Sequence, residues 1–404
     1  MEFQPLPGFR DFYPAEMAVR RHVERAWHEA ARAAGFEEMD GPPLESLDLF
    51  KAKSGNEIVD QLYAFTDKGD RPVALRAELT PTLARMVGAK AASLRKPIKW
   101  YSVPQLFRYE RRQRGRLREH FQWNVDVVGA PEIASDAEVL GVALDGLRRL
   151  GLTEKHVYAR VSHRSIVERK IRDLGFDEDT VHVLLRLIDK GLVQVEAAKL
   201  IAGKGKELEE LHRWLTEPAE PAGELAEFLS ACADYGLKED YITVDKTIVR
   251  GLAYYTGTVW EIFDRGRTLR AVAGGGRYDT LIEKLGGPAM PALGFGMGDV
   301  VLSELLKDHG LLPAAPPRLD ALVVAIGAEM LGPARTVVRR LRDAGVRAEA
   351  PYALLKVGKA LKLADAAGAR RAFLVGPDEW ADGKVKARDL ASGEETTVSV
   401  ESIA

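Results

Sequence analysis

The sequence predicts an α+β fold: a sheet-based domain interrupted by a helical insertion, then a small α/β domain. Three observations predict it. Strand-like runs recur at about 98–110, 119–129 and 157–162, and return later with TVWEIFD and LRAVAGG. Between about 165 and 238 the pattern turns helical, punctuated by Gly and Pro. Beyond a stiff linker, LLPAAPPRL, strands alternate with helices. The expected divisions are 1–164, 165–240, 241–312 and 318–404.

Residues from about 15 to 34 are Ala-rich and charged, as a helix is, and stop at Gly35. VALRAELTPTLARMV gives a short strand and a helix opening at Thr80, with Pro81 in the first turn. LFRYERRQRGRLREHFQWNVDVVG, residues 106–129, forms two strands around a tip bearing Arg111, Arg112, Arg114, Arg116 and Arg118. Period-two alternation puts Arg108 and Glu110 on one face, and Gln122, Asn124 and Asp126 on another. Phe121, Trp123, Val125 and Val127 alternate with the second set and would pack behind it. Such polar runs often face only water. Charges set between Leu106, Phe107 and Tyr109, however, are seldom buried without partners or a ligand. The hairpin therefore suits a sheet floor that binds a polyanion, with nucleotide below and RNA above.

VERKIRDLGF, DTVHVLLRLIDKGLVQVEAAKLIAG, KELEELHRWL and AGELAEFLSACADYG supply successive helices. A helix begins near GGRYDTLIEKL, and PALGFGMGDVVLSELLKDHG is a glycine-rich strand entering a final helix. The last domain runs strand DALVVAIG, helix PARTVVRRLRDAG, strand VRAEA, helix LLKVGKALKLADAAG and strand RAFLVG.

At 404 residues, with 46% hydrophobic and 29% charged residues, the chain has material for two or three cores. A formal net charge of −2 means that any nucleic-acid contact must be local. Cys232 is the single cysteine, which excludes an intramolecular disulfide and any cysteine-rich zinc site. MEFQPLPGFRDFYP has no apolar signal core and no apolar run nears bilayer length, so a cytoplasmic protein without membrane contact is expected. GxxxxGK[ST] is missing, as are HxxxH and HExxH spacings, and no resident metal is expected. The close glycines of GFGMGD, 294–299, suit tight strand packing beside a ligand. In IVRGLAYYTGTVWEIFD, residues 248–264, an arginine beside glycine and the pair Tyr254–Tyr255 can line a polar pocket or simply fill a core.

FRYE, the arginine-rich loop and the acidic strand end resemble motif 2 of class II aminoacyl-tRNA synthetases. REHFQWNVD is most similar to the histidyl-tRNA synthetase family, in a branch that includes plant-type enzymes. RGLAYYTG, AGGGRYD, LRAELT at 75–80 and GFRDFYP at 8–14 extend the resemblance to essentially the whole chain. It implies a class II catalytic core with a mainly antiparallel sheet flanked by helices, the insertion beside the tRNA path and a C-terminal α/β anticodon-binding domain. It also implies a homodimer formed through GFRDFYP and the helix after it.

The implied reaction joins L-histidine to the α-phosphate of ATP, releases pyrophosphate and transfers histidine to histidine tRNA. The carboxylate is already ionised, so the demand is positioning and neutralisation of phosphoryl charge. By resemblance this falls to Arg108 and Arg250, with Glu110 near adenine, Arg116 on ATP and Mg2+ bridging phosphate oxygens. Glu78, Thr80, Gln122 and Asp126 would hold histidine, with Tyr254, Tyr255, Arg250 and the pair Arg277–Tyr278 closing the pocket. The tip Arg111, Arg112, Gln113, Arg114 and Arg118 would meet the acceptor end of tRNA. Arg339, Arg340, Lys356, Lys359 and Lys362 would meet the anticodon.

Departures are Asp126 where many relatives carry glutamate, Ala253 where many carry aspartate, and Val301 where a γ-phosphate arginine usually stands. Arg85, Arg116 or Arg277 would have to compensate for the last. The chief alternative is a synthetase-like regulatory subunit of ATP phosphoribosyltransferase. A tRNA-binding module without catalysis and a sister synthetase for another amino acid are further alternatives.

Overall fold

The sheet that carries the site runs, in spatial order, Glu37–Glu38, Ile98–Ser102, Glu119–Val128, Ala292–Gly298, Ala273–Arg277, Thr258–Asp264, Val157–His163 and Ile242–Val244. A ninth strand, Gln105–Phe107, pairs with the first half of Glu119–Val128. Only the two outermost pairings are parallel, so the α+β class read from the sequence holds. The computed structural model describes residues 3–403 except 55, 112, 192–196, 198–200, 202, 251–253 and 315–316, with backbone only at 54, 56 and 57. It divides into two compact units, 1–313 and 314–404.

Alternation decides which side of the sheet is core. Trp123, Val125 and Val127 pack behind Glu119–Val128 against helices Pro14–Ala33 and Ala134–Arg149. Trp123 is fully buried, stacks on Trp27 at 6.0 Å and meets Phe295 edge-on at 5.0 Å. Helix Ala134–Arg149 passes close overhead because Gly146 presents no side chain to the Trp123 ring. The opposite face is left to the polar set.

Helices Arg164–Asp173, Glu178–Asp189 and Gly205–Thr216 share a separate core around Ile171, Leu184 and Leu211, which Val249 also joins. Asp177 caps the second of these by accepting from the Thr180 N–H at 2.8 Å. Helix Glu224–Asp234 behaves differently: Leu225, Phe228 and Cys232 enter the core of the main sheet. The helical run is thus shared between two cores, which an amphipathic pattern cannot reveal because it marks a buried face and not the neighbour. A small sheet of Leu44–Ser46, Pro72–Leu75 and Ala64–Thr66 precedes the hairpin; the sequence reading expects its middle strand, at VAL, but not the two that flank it.

The second unit is a five-stranded sheet ordered Ala348–Glu349, Ala321–Ala325, Arg371–Val375, Lys384–Asp389 and Glu395–Ser399. The first three strands are parallel, as alternation with helices predicts. The last two form an antiparallel extension that the sequence reading, ending at RAFLVG, omits. Glu395–Ser399 is polar and mostly exposed, which conceals its period, and in Lys384–Asp389 the alternation is carried by Val385 and Ala387 alone. Among the described residues no helix is long and apolar enough to cross a membrane.

Trp123→Ala is expected to cost about 3–5 kcal/mol of stability. Urea denaturation followed by circular dichroism measures this. A loss near zero would mean that the Trp27–Trp123–Phe295 stack does not anchor the helices to the sheet.

Candidate functional site

The site is built on two strands whose positions facing it are glycines. Gly294 faces Asp126 across the ladder, Gly298 faces Gln122, and Gly274 pairs with both Glu261 and Gly296. A Cβ at Gly294 would run into the Asp126 carboxylate, and one at Gly274 into the Arg250 guanidinium. At Gly296 it would stand 2.8 Å from the Gln122 amide. The glycine strands therefore form a low floor on which three polar side chains lie. Above it opens a cavity of about 960 Å³.

One end of the cavity suits a small polar molecule. Glu78 and Gln122 line it, and Glu78 Oε2 is ion-paired with Lys53. The Lys53 side chain is wholly buried and its ammonium lies 4.1 Å from the centre of the Tyr254 ring. Tyr254, Tyr255 and Tyr278 form one aromatic group, with Tyr254 and Tyr255 4.6 Å apart. The Tyr278 hydroxyl donates to Asp126. Burial pushes the Asp126 carboxyl up to about 7, although the Tyr278 hydrogen bond and the Lys53 charge both oppose this. Burial likewise lowers Lys53, against the pull of Glu78.

The other end is cationic. Arg108, Arg116, Arg250 and Arg270 all line the cavity. Arg108 is held by one bond, Nε to the Ala77 carbonyl at 2.9 Å, and has no carboxylate partner among the described residues. Arg250 adopts a left-handed φ of 50° and donates to Glu261 at 2.5 Å. Its Nε is buried with no partner among the described residues. Arg116 makes a forked pair with Glu110. His120 is neutral, pushed down to about 3 by burial and by Arg108 and Arg10.

The structure thus gathers Glu78, Arg108, Glu110, Arg116, Gln122, Arg250 and Tyr254 around one cavity, with Asp126, Tyr255 and Tyr278 buried beside it. Thr80 opens helix Thr80–Lys90 two residues past Glu78 and does not line the cavity. Arg277 departs from expectation. Its guanidinium is ion-paired with Asp136 and donates to the Ala130 and Glu132 carbonyls at 3.1 and 3.3 Å. A buried arginine needs a carboxylate, and Asp136 supplies it on the side away from the cavity. Arg85 pairs with Glu45 at 2.7 Å, also outside the cavity. Neither is placed to compensate for Val301, which lines the cavity beside Gly115.

At the hairpin tip, Arg114 pairs with Glu304 and Asp308, and Arg118 lies 4.2 Å over the Tyr109 ring. Arg111 and Gln113 are exposed, while Arg112 and Ala253 lie outside the described residues. GFRDFYP braces the hairpin: Arg10 binds Glu119 at 2.7 Å and Asp299 at 2.9 Å. In the second unit Arg339 pairs with Asp343 and Arg340 donates to the Val400 carbonyl, whereas Lys356, Lys359 and Lys362 are exposed. Lys53 and Arg270 escaped the sequence reading. Their only signal is a cation beside LFKAKSG and before AGGGR, neither with a diagnostic spacing. Among the described residues no cluster of three His, Cys, Asp or Glu is poised for a metal.

Residues 8–299 match the family model described as histidyl-tRNA synthetase, and 320–404 match an anticodon binding domain. The chain is 43% identical to a histidine–tRNA ligase of Opitutus terrae, over 99% of this chain and 97% of the relative. It is 39% identical to the chloroplastic/mitochondrial histidine–tRNA ligase of Arabidopsis thaliana, over 99% and 86%. The fold superposes on a histidyl-tRNA synthetase crystal structure from Nostoc sp. PCC 7120 with a TM-score of 0.82 at 23% identity, covering 100% and 99%.

Asp126 gives a pH prediction. Its folded value of about 7 exceeds the ordinary 3.8, so the native state holds more protons than the unfolded chain between these limits. Stability should fall as pH rises through that window, and the penalty persists above it. Asp126→Asn should flatten this fall, which thermal melts of both proteins from pH 5 to 8 would register. Parallel curves would show that Asp126 is ionised throughout.

Proposed function

The chain belongs to the histidyl-tRNA synthetase family, and from that premise we propose how its cavity performs the family's chemistry. The protein is a histidine–tRNA ligase: histidine and ATP yield histidyl-adenylate and pyrophosphate, and histidine then passes to the 3′ end of histidine tRNA. Identity near 40% over nearly the whole chain is to ligases, which disfavours a regulatory subunit.

One observation supports the division of labour: a carboxylate–tyrosine end and an arginine end share a single cavity. The histidine ammonium binds Glu78 through Oε1, since Oε2 is engaged by Lys53, and Thr80 steadies the turn behind it. Gln122 and Asp126 read the imidazole, with Tyr278 orienting Asp126 and Tyr254 and Tyr255 enclosing the ring. Arg277 contributes only indirectly, by clamping the loop at Ala130–Asp136.

A histidine carboxylate oxygen attacks the α-phosphorus as the bond to the β-phosphate oxygen breaks, and its electron pair departs with pyrophosphate. No proton needs to move. Arg108 and Arg250 neutralise the α-phosphate, where preorganised donors act without solvent reorganisation. Arg116 and Glu110 take the nucleotide. Glu110 and Glu261, the carboxylates among these arginines, would hold magnesium when it is bound with ATP, and it would supply further charge neutralisation. Arg111, Gln113, Arg114 and Arg118 meet the tRNA acceptor end, and the exposed Lys356, Lys359 and Lys362 meet the anticodon. A cytoplasmic homodimer is the working form.

The test is exchange of labelled pyrophosphate into ATP by the purified protein with magnesium. Exchange should require histidine; exchange that ignores histidine, or none with or without tRNA, would end this reading. Arg108→Ala should lower the exchange rate about 100-fold or more. The KM for histidine should move far less, because the Arg108 side chain bonds the Ala77 carbonyl and, among the described residues, none of Glu78, Gln122 or Asp126.

A further inference from the structure

Arg270 stands in the cavity without a role in any family motif noted above. It precedes the glycine strand Ala273–Arg277, on the connection from strand Thr258–Asp264. That connection is pinned. The buried Asp264 carboxylate accepts the Thr268 and Leu269 N–H groups at 3.0 and 3.2 Å, and Leu269 packs against the main core. The Val272 N–H closes the ladder onto the Ile262 carbonyl at 2.7 Å. A long cation thus projects from a fixed base, one residue beyond a packed leucine.

Its electrostatic situation is unbalanced. Arg270 makes no hydrogen bond or ion pair among the described residues, while Arg108 and Arg116 both lie within reach of its charge. Glu261 is the carboxylate acting on it, and Glu261 already receives Arg250. Glu110 is likewise taken by Arg116. Cations brought together in a concave site without matching carboxylates are stabilised by an anion. The inner cations, Arg108 and Arg250, sit next to Ala77 and Gly274, close enough to the amino-acid end for their charge to reach Lys53. Arg116 and Arg270 line the cavity together with Val300 and Val301, apolar side chains that offer an anion nothing, and with Gln61, His120 and Arg186.

We infer that Arg270 is a binding residue for the leaving pyrophosphate, holding the β- and γ-phosphates of ATP against the Val301 side of the cavity. The inference rests on the ligase reading and deepens it. As the α-phosphorus leaves the bridging oxygen, negative charge accumulates on the β-phosphate. A guanidinium there stabilises the departing group, and in the reverse direction it captures pyrophosphate.

The experiment compares wild type, Arg270→Ala and Arg270→Lys in histidine-dependent exchange, and measures direct binding of pyrophosphate and of AMP by calorimetry. Loss of one charge-assisted contact should raise the KM for ATP and for pyrophosphate about tenfold or more. The KM for histidine and the affinity for AMP, which lacks the outer phosphates, should stay within about twofold. Lysine should recover part of the loss. An ATP KM unchanged in Arg270→Ala overturns the assignment, and so does equal weakening of AMP and pyrophosphate. If wild type shows no exchange, the ligase reading fails separately; Arg270-dependent pyrophosphate binding would then still uphold the anion site, and its absence would remove it.

Discussion

Three missing side chains determine what this site can hold. Gly274, Gly294 and Gly296 lie on adjacent strands, and the space their Cβ atoms would fill is occupied by Arg250, Asp126 and Gln122. Rigid neighbouring strands cannot spread to admit a larger residue, because their far face carries Trp260 and Phe295 of the packed core. A polar layer can therefore lie flat on a sheet whose other side is wholly apolar. The depth of the cavity follows from that, and so does the burial that displaces the Asp126 and Lys53 protonation equilibria.

Charge is disposed on that floor by proximity to carboxylates. At the tyrosine end Lys53 and Glu78 satisfy each other, leaving one Glu78 oxygen available. At the arginine end Glu110 and Glu261 each hold one cation in a fixed pose, while Arg108 and Arg270 retain charge for a ligand. The pairs fix geometry, and the cations without a carboxylate partner among the described residues supply attraction. A site in which every arginine were matched would be well ordered but indifferent to phosphate.

Much of this was legible in the sequence, for reasons specific to each element. The hairpin at 106–129 announced its two faces because strand side chains alternate strictly, and the structure puts Trp123 and Val125 behind and Gln122 and Asp126 in front. The close glycines of 294–299 were read as packing beside a ligand, and their register against Gln122 and Asp126 supplies the reason. Arg277 was misplaced because a motif shows adjacency to Tyr278, whereas successive strand residues point to opposite faces. Lys53 was missed because its partner Glu78 comes from another element, and sequence periodicity carries no information across elements. The edge strand Glu395–Ser399 was missed because it is polar and mostly exposed, and the inner strand Lys384–Asp389 because its two buried apolar residues, Val385 and Ala387, make too short an alternation to stand out.

The position of Val249 has a mechanical consequence. Val249 is fully buried among the insertion helices, yet it is bonded directly to Arg250, which sits on the sheet floor. Arg164, from the first insertion helix, donates to the Arg250 carbonyl at 3.2 Å. Arg250 is also the residue whose backbone already occupies a sparsely allowed conformation, so little torsional slack separates the two bodies. The insertion is therefore geared to the cavity arginine Arg250 across a single peptide unit, and a tilt of that helical body would turn Arg250 as a crank turns a shaft.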